Sequence, residues 1–200
     1  YLEQFNSNPG WSLDGSYWAF GTPTGGGGTY GYPDPTSGYT GSNVLGYNLA
    51  GDYPNYLSTT EYATTTAINC LYYSDVSLRF YRWLGVESSY WDHAYIDVSS
   101  NGSTWNRIWE NSGTVSDSGW TMVEYDVSAY ADRQSTFYIR WGMGISDSIV
   151  NYCGWNIDDV SLSGSEEPFI TISGNGNAIP DGDGTPSASD LTAFGTVITG

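Results

Sequence analysis

Two adjacent carboxylates near the end of a strand-like segment are the residues of this chain best suited to hold a cation. In Gly154–Leu162, Trp155 and Ile157 share a face by the two-residue period of a strand, but Val160 and Leu162 continue that face only if one residue is skipped. The skipped position falls at Asp158-Asp159 and predicts a β-bulge there. A bulge would change the direction of these side chains, so that their carboxylate oxygens could coordinate a hard cation. The same pattern is also compatible with a solvated edge turn.

The net charge of the chain limits the classes of molecule that it can bind. The sequence contains no lysine, and its 200 residues carry a formal net charge of -17. Such a surface repels phosphate backbones and anionic lipid head groups, so we expect no nucleic-acid partner and no membrane partner. Divalent cations are the natural counter-ions, although acidity can also serve solubility alone.

The termini carry no targeting or membrane signal. The sequence shows neither a signal peptide nor an apolar run long enough to span a bilayer, so we expect no membrane insertion. We interpret the chain as either a mature product or a piece of a longer protein.

Two cysteines, Cys70 and Cys153, each lie in a segment that is typical of a strand. A disulfide between them would close a loop of roughly 80 residues and stabilise the fold by about 4 kcal/mol in the chain-entropy model. We predict this disulfide, with two buried free thiols as the alternative. The cysteines and the single histidine, His93, lack the spacing of a zinc site.

Apolar residues alternate with polar ones along almost the whole chain. Examples are the segments 76–80, 94–98 and 137–141, and turn-forming clusters such as Ser100–Ser103 separate such runs. No window shows the periodicity of a helix. The pattern predicts an all-β, antiparallel β-sandwich.

Exposed aromatic residues could form a binding surface. The segment Gly21–Gly41 is predicted to be a long surface loop because it contains four consecutive glycines and the run Tyr32–Pro35. The sequence has nine tryptophans and 18 tyrosines, and flat aromatic faces can stack on sugar rings. Five aromatic residues outside predicted strands are our candidates for ligand binding: Tyr30, Tyr32, Tyr39, Tyr90 and Trp91. Three that lie in predicted strands are assigned to packing: Trp83, Trp141 and Trp155.

The composition changes after Gly164. Residues 165–169 are predicted to be a linker, and Phe169–Ile172 is predicted to include a short strand. Residues 170–200 are too short to fold alone, so we interpret them as an incomplete immunoglobulin-like segment or an extended C-terminal β tail.

Residues 1–164 resemble the jelly-roll domains of the MAM-like and cleaved-adhesin type, which are found in secreted bacterial proteases and surface proteins. The resemblance rests on Thr40–Gly46, Asp92–Ser99 and the closing motif Gly154–Val160. It covers about four fifths of the chain, and it implies an antiparallel jelly-roll β-sandwich.

The C-terminal segment is similar to the opening of a choice-of-anchor D module, which is immunoglobulin-like. The similarity rests on Ile172–Gly176, Asp181–Asp183 and Phe194-Gly195. The complete module is much longer than the residues that remain here.

The jelly-roll resemblance implies a calcium ion between the first and last strands. It assigns Glu3 together with Asp158 or Asp159 as ligands, and Asn43 and Asp52 are further candidates for completing the shell. A hard cation requires several oxygen ligands, so the acidic pair is chemically consistent with this role.

Three functions remain open. The first is a non-catalytic, calcium-stabilised extracellular module, secreted or at the cell surface, that binds a glycan or a protein as part of a larger protein. The second is a self-assembling structural subunit, of a filament or surface layer, whose tail from about Phe169 adds a strand to a neighbour. The third is a hydrolase, but no catalytic residue is predicted because His93 lacks any recognisable nucleophile motif.

Overall fold

A computed structural model describes residues 1–166, 172–174 and 177–179. Two units are distinguished, Tyr1–Glu166 and Glu167–Gly200. The strands of the first unit are β1 (Leu2–Glu3), β2 (Ser12–Leu13), β3 (Trp18–Gly21), β4 (Val44–Tyr47), β5 (Glu61–Thr64), β6 (Tyr73–Val86), β7 (Ala94–Ser99), β8 (Asn106–Glu110), β9 (Val115–Ser116), β10 (Thr121–Asp126), β11 (Tyr138–Met143) and β12 (Gly154–Glu166). Within the described residues the single α-helix, α1 (Ser128–Ala131), is short, and no helix there is long and apolar enough to cross a membrane.

The strands of the first unit form two antiparallel sheets. One sheet has the order β10-β6-β12-β4-β3, with β1 beside β12 and β9 beside β6. The other sheet has the order β2-β5-β11-β7-β8. Neighbouring strands are mostly distant in sequence, as in a Greek-key or jelly-roll sandwich. The predicted all-β, antiparallel jelly-roll class is therefore confirmed.

The alternation of apolar and polar residues in β6 determines which face of the strand is buried. Val76, Leu78 and Phe80 are almost completely buried between the sheets, whereas Ser77 and Arg79 face outward and contact Glu124 of β10. Period-two burial of this kind leaves one face of the strand for the core and the other for solvent.

Aromatic rings fill much of the space between the sheets. The ring of Trp141 on β11 stacks on Trp11 with centroids 5.4 Å apart, and Phe80 of β6 packs edge-on against the same ring. Trp141 and Trp155 are fully buried, so their assignment to packing is correct.

The predicted bulge is present in β12. Asp158 pairs with Tyr81 of β6, but the next paired residue, Ser161, is opposite Arg79, so β12 carries one extra residue. Asp159 lies in the bulge and adopts a left-handed backbone conformation, with a φ of 48°. Because of the extra residue, Ile157 and Val160 both point into the core. This is the shift in apolar alternation that the sequence predicts.

The predicted disulfide is not supported, because both cysteines are free and buried. Cys153 lies beside Gly85 where β12 begins, whereas Cys70 lines a small cavity with Leu162 towards the other end of β12. The intervening strand is roughly 25 Å long at 3.3 Å per residue. A disulfide requires Cα atoms within about 7 Å, so the two thiols cannot join in this fold.

The second unit contains two described strands, β13 (Ile172–Gly174) and β14 (Asn177–Ile179), which pair antiparallel to each other. The predicted linker at 165–169 and the incomplete module at 170–200 fall mostly outside the described residues. These domain boundaries and the tail-mediated assembly stay predictions.

Candidate functional site

The first strand lies directly against the last, as the calcium prediction requires. Leu2 and Glu3 pair with Ser161 and Val160, and the Leu162 N–H donates to the Tyr1 carbonyl at 3.0 Å. This pairing brings the N-terminal residues to the bulge of β12.

Asp158 is the buried centre of this region. Its Oδ2 accepts a hydrogen bond from the backbone N–H of Thr40 at 3.0 Å, and its Oδ1 accepts one from the N–H of Asp159 at 2.8 Å. Burial raises the pKa of the Asp158 carboxyl to about 6, and the two N–H donors limit that rise. The two hydrogen bonds therefore only partly replace the hydration that the charged Asp158 carboxylate loses on burial.

Asp159 faces the N-terminal strand and the loop before β4. Its Oδ1 accepts from the Thr40 hydroxyl at 2.8 Å and from Gln4 Nε2 at 3.3 Å. The bulge thus directs both carboxylates of the acidic pair toward the same loop.

Asn43 and Glu3 meet at the backbone of Phe5. The amide of Asn43 donates to the Phe5 carbonyl at 3.5 Å, and the Phe5 N–H donates to Glu3 Oε1 at 2.7 Å. Four of the five predicted calcium ligands therefore lie on adjacent parts of the fold, β1, β12 and the loop before β4, but the carboxylates of Glu3, Asp158 and Asp159 do not all lie within 4.8 Å of one another. We refer to Glu3, Asn43, Asp158 and Asp159 as the terminal cluster.

Gly38 reveals where oxygen atoms converge in the terminal cluster. A Cβ atom placed on Gly38 would lie 2.7 Å from Asp158 Oδ2 and 2.8 Å from the Asn43 carbonyl oxygen, and it would also touch the Thr40 carbonyl oxygen. Three oxygens of the kinds that calcium prefers thus pack close to the Gly38 Cα atom, where any side chain would displace them. Carboxylate and carbonyl oxygens are the chemical groups that a hard cation requires.

Asp52, the fifth predicted ligand, has a different role. Its Oδ1 accepts from the Gly28 N–H at 2.8 Å, and its Oδ2 accepts from the Thr29 N–H at 3.3 Å. Because both carboxylate oxygens hold the glycine-rich loop, the structure does not bring Asp52 into the terminal cluster.

A cleft of about 380 Å³ opens beside the glycine-rich loop. Tyr32, Trp83 and Trp120 line it together with residues 33–38 and Ser118. We refer to this feature as the aromatic cleft. Of its three rings, only Tyr32 is among the ligand-binding residues predicted from sequence.

Trp83 is held in a fixed position at the cleft. Its indole N–H donates to the Pro33 carbonyl at 3.0 Å, and its ring packs edge-on against Trp120 with centroids 6.1 Å apart. The assignment of Trp83 to core packing is therefore wrong. Alternation within β6 could have placed it outward with Tyr81, because the intervening position belongs to the opposite face.

Tyr39 continues the aromatic surface. It is 47% exposed and stacks on Tyr81 of β6 with ring centroids 3.4 Å apart. Tyr81 and Trp83 share the outer face of β6, so the exposed rings follow the strand as a row.

Asp34 closes the inner side of the aromatic cleft. It is 2% exposed, and its Oδ1 accepts a hydrogen bond from Asn156 Nδ2 at 2.7 Å. The Oδ2 atom of Asp34 and the Oδ1 atom of Asn156 are both buried without a hydrogen-bond partner. Burial raises the pKa of the Asp34 carboxyl to about 7, and the Asn156 hydrogen bond opposes this rise.

The remaining predicted ligand-binding residues lie elsewhere on the surface. Tyr30 approaches Tyr152, with ring centroids 6.3 Å apart. Tyr90 and Trp91 form an edge-on pair in the loop between β6 and β7, and they are 79% and 49% exposed. The five predicted residues therefore fall into three groups, with Tyr32 and Tyr39 at the aromatic cleft and its continuation, Tyr30 beside Tyr152, and Tyr90 beside Trp91.

No family model matches the chain. Over 168 residues, which are 82% of the chain, the sequence is 30% identical to Bacillopeptidase F of Bacillus subtilis (strain 168). The match spans only 10% of that protein, so the chain corresponds to about a tenth of its length.

The chain is similar to solved structures over most of its length. The K3 cleaved adhesin domain of Lys-gingipain from Porphyromonas gingivalis superposes with a TM-score of 0.52 at 15% identity, over 82% of this chain and 98% of that domain. The CBM22-2 xylan-binding domain from Paenibacillus barcinonensis has a TM-score of 0.49 at 11% identity, over 82% of this chain and 99% of that domain. The gingipain domain supports the predicted cleaved-adhesin resemblance of residues 1–164 at the level of the fold.

Proposed function

We propose that the chain is a non-catalytic binding module of a larger extracellular protein, and that its aromatic cleft binds a glycan. The observation that carries this proposal is the cleft itself, in which the rings of Tyr32, Trp83 and Trp120 line one concave volume. Concave sites with aromatic walls and a few polar groups are the usual form of small-ligand sites.

The geometry of the rings favours a carbohydrate. The C–H faces of a sugar ring can pack on flat aromatic faces, while its hydroxyl groups remain hydrogen-bonded to polar neighbours. Trp83 is already fixed by its hydrogen bond to Pro33, so little side-chain entropy would be lost on binding. The row from Tyr81 to Trp83 favours an extended polysaccharide over a single sugar.

The setting in a larger protein is supported by the match to Bacillopeptidase F, of which this chain corresponds to a small part. The fold that it shares with an adhesin domain is compatible with a role in binding. We propose an extracellular location on the basis of the acidic, lysine-free composition and this similarity.

We further propose that calcium stabilises this module at the terminal cluster. Glu3, Asn43 and Asp158 would hold the ion together with main-chain oxygens of the Thr40 loop. A bound divalent cation would neutralise the buried carboxylate and fix the first strand to the last. It would stabilise the fold by its own binding free energy.

Isothermal titration calorimetry with a panel of soluble polysaccharides tests the glycan proposal. We expect at least one polysaccharide to bind, and we expect Trp83→Ala and Trp120→Ala each to weaken binding about 30-fold or more, because truncating an aromatic hot-spot residue costs about 2 kcal/mol or more. Trp91→Ala is the matched control, because Trp91 is exposed in a different loop. Binding that is lost in Trp91→Ala and retained in Trp83→Ala would exclude the cleft as the site.

A further inference from the structure

Three carboxylates outside both sites described above meet at one end of the sandwich. Glu87 follows β6, Asp92 precedes β7, and Asp147 follows β11. One ligand oxygen from each of the three lies within 4.8 Å of the others. We refer to Glu87, Asp92 and Asp147 as the loop cluster. Glu87 and Asp92 lie five residues apart in one loop, but Asp147 is distant from both in sequence, so no local motif predicts the complete cluster.

Asp92 is the buried hub of the loop cluster. It is fully buried, and it accepts hydrogen bonds from the Tyr53 hydroxyl at 2.5 Å and from the Asp147 N–H at 2.8 Å. The Tyr53 oxygen in turn accepts a hydrogen bond from the Glu87 N–H at 3.2 Å. These bonds hold the Asp92 carboxylate and the backbones of Glu87 and Asp147 in place, but they leave the repulsion between the three carboxylates uncompensated.

An unsatisfied oxygen points to a missing ligand. The Oε2 atom of Glu87 has an accessible area below 1 Å² and no hydrogen-bond partner, although buried acceptors are almost always paired. Burial and the neighbouring charges of Asp92 and Asp147 raise the pKa of Glu87. A cation bound among the three carboxylates would both coordinate this oxygen and cancel the repulsion between the carboxylates.

We propose that the loop cluster binds a calcium ion, distinct from any ion at the terminal cluster. The three carboxylates supply hard oxygen ligands from two loops, and flexible oxygen coordination of this kind suits calcium better than the strict octahedron of magnesium. Water molecules or main-chain carbonyls would complete the shell.

The ion has a structural consequence for the exposed Tyr90–Trp91 pair. Glu87 and Asp92 flank these two rings in the chain, and the N–H groups of Trp91 and Asp92 both donate to Ser88 within the same turn. Calcium at the loop cluster therefore fixes both ends of the turn against the loop of Asp147. The aromatic pair is presented rigidly only when the ion is bound.

Calcium titration of the whole chain by calorimetry, after treatment with chelator, tests this proposal. We expect Glu87→Gln and Asp147→Asn each to bind one calcium ion fewer than the unmodified chain. Asp126→Asn is the matched control, because Asp126 accepts from the N–H two residues ahead at 2.9 Å in the same way as Asp147. Hydrogen exchange of residues 87–93 should slow on calcium addition in the unmodified chain but not in the two variants.

The outcomes separate the two calcium sites. Asp158→Asn should lose the terminal site and keep the loop site, so failure of either proposal is seen independently of the other. Unchanged calcium stoichiometry in both Glu87→Gln and Asp147→Asn would overturn the loop site and indicate that the carboxylates share protons. If one variant does not fold, as judged by near-ultraviolet circular dichroism, the other decides.

Discussion

The Asp158 carboxylate accepts a hydrogen bond from the Thr40 N–H at 3.0 Å, although 118 residues separate the two in sequence. This bond joins the last strand to the loop before β4, and the same loop supplies the carbonyl oxygens beside Gly38. The terminal cluster therefore depends on contacts between distant parts of the chain, and no single sequence motif forms it.

Adding a methyl group at Gly38 should remove the stabilisation that calcium contributes at the terminal cluster. In Gly38→Ala the new carbon would clash with the oxygens of Asp158, Asn43 and Thr40 and displace them. Calcium at about a hundred times the dissociation constant of this site should stabilise the unmodified chain by about 2.7 kcal/mol more than the variant, because an ion at the loop cluster would stabilise both proteins equally. Thermal unfolding with calcium and with chelator measures the difference.

Gly119→Ala is the control for this experiment, because nothing lies within 4 Å of a Cβ at that position. It should retain the full calcium effect. An equal rise in melting temperature with calcium for Gly38→Ala and the unmodified chain would contradict a calcium site beside Gly38.

Asp34 should make stability depend on pH. Its pKa is about 7 in the folded chain against an ordinary value of 3.8, so the folded state holds a proton that the unfolded state has released between these values. The contribution of Asp34 is thus complete below about pH 4 and is lost as the pH rises towards 7, amounting to roughly 4 kcal/mol.

Urea denaturation of the unmodified chain and Asp34→Asn, in chelator from pH 4 to 7.5, measures this dependence. The stability of the unmodified chain relative to the variant should fall across the range. A constant difference would mean that Asp34 is ionised in the folded state throughout. Asp158 has the same direction of shift, but it is present in both proteins and its effect cancels.

Reducing agent should leave the stability of the chain unchanged, since Cys70 and Cys153 are free in the fold. Alkylation of the unfolded chain without reductant, followed by mass spectrometry, should add two labels. Labelling of the folded chain should be slow, because burial raises the pKa of both thiols and excludes the reagent. Recovery of unlabelled, cross-linked peptides would contradict the structure at this point.

Removing Asp97 should destabilise the second sheet strongly. Asp97 is 2% exposed and pairs with Arg107 at 2.8 Å and Arg140 at 2.9 Å. Asp97→Ala removes both charge-assisted contacts, while Arg107 keeps Glu110 at 3.2 Å. We expect a loss of about 1.5 to 3 kcal/mol by chemical denaturation. Glu124→Ala is the control, because its ion pair with Arg79 is exposed and its removal should change stability little.

The sequence predicts those features that depend on strand periodicity. The bulge at Asp158-Asp159 follows from a shift in alternation that is visible within nine residues, and the structure places it there. Trp83 was misassigned because strand membership alone does not show which of the two sheet faces a residue occupies. Alternation relative to Leu84, which is buried, gives that information.

Features that depend on long-range packing could not be read in this way. Asp147 meets Glu87 and Asp92 only because β6 and β11 end, and β7 begins, at the same end of the sandwich. The disulfide prediction failed for the same reason, since two strand-like segments do not reveal which end of the sandwich each cysteine occupies.

The pairing of β1 with β12 has a consequence for how the chain reaches its native state. Tyr1 and Leu162 are hydrogen-bonded neighbours, and their 161-residue separation must be closed before this pairing forms. The entropy of closing so large a loop makes non-local β folds slow to form. During synthesis, residues 1–3 therefore cannot pair until residues 160–162 have been made, and β6 stays unpaired on its β12 edge throughout that interval. The folding step that closes the sandwich would be the one that a cation at the terminal cluster makes difficult to reverse.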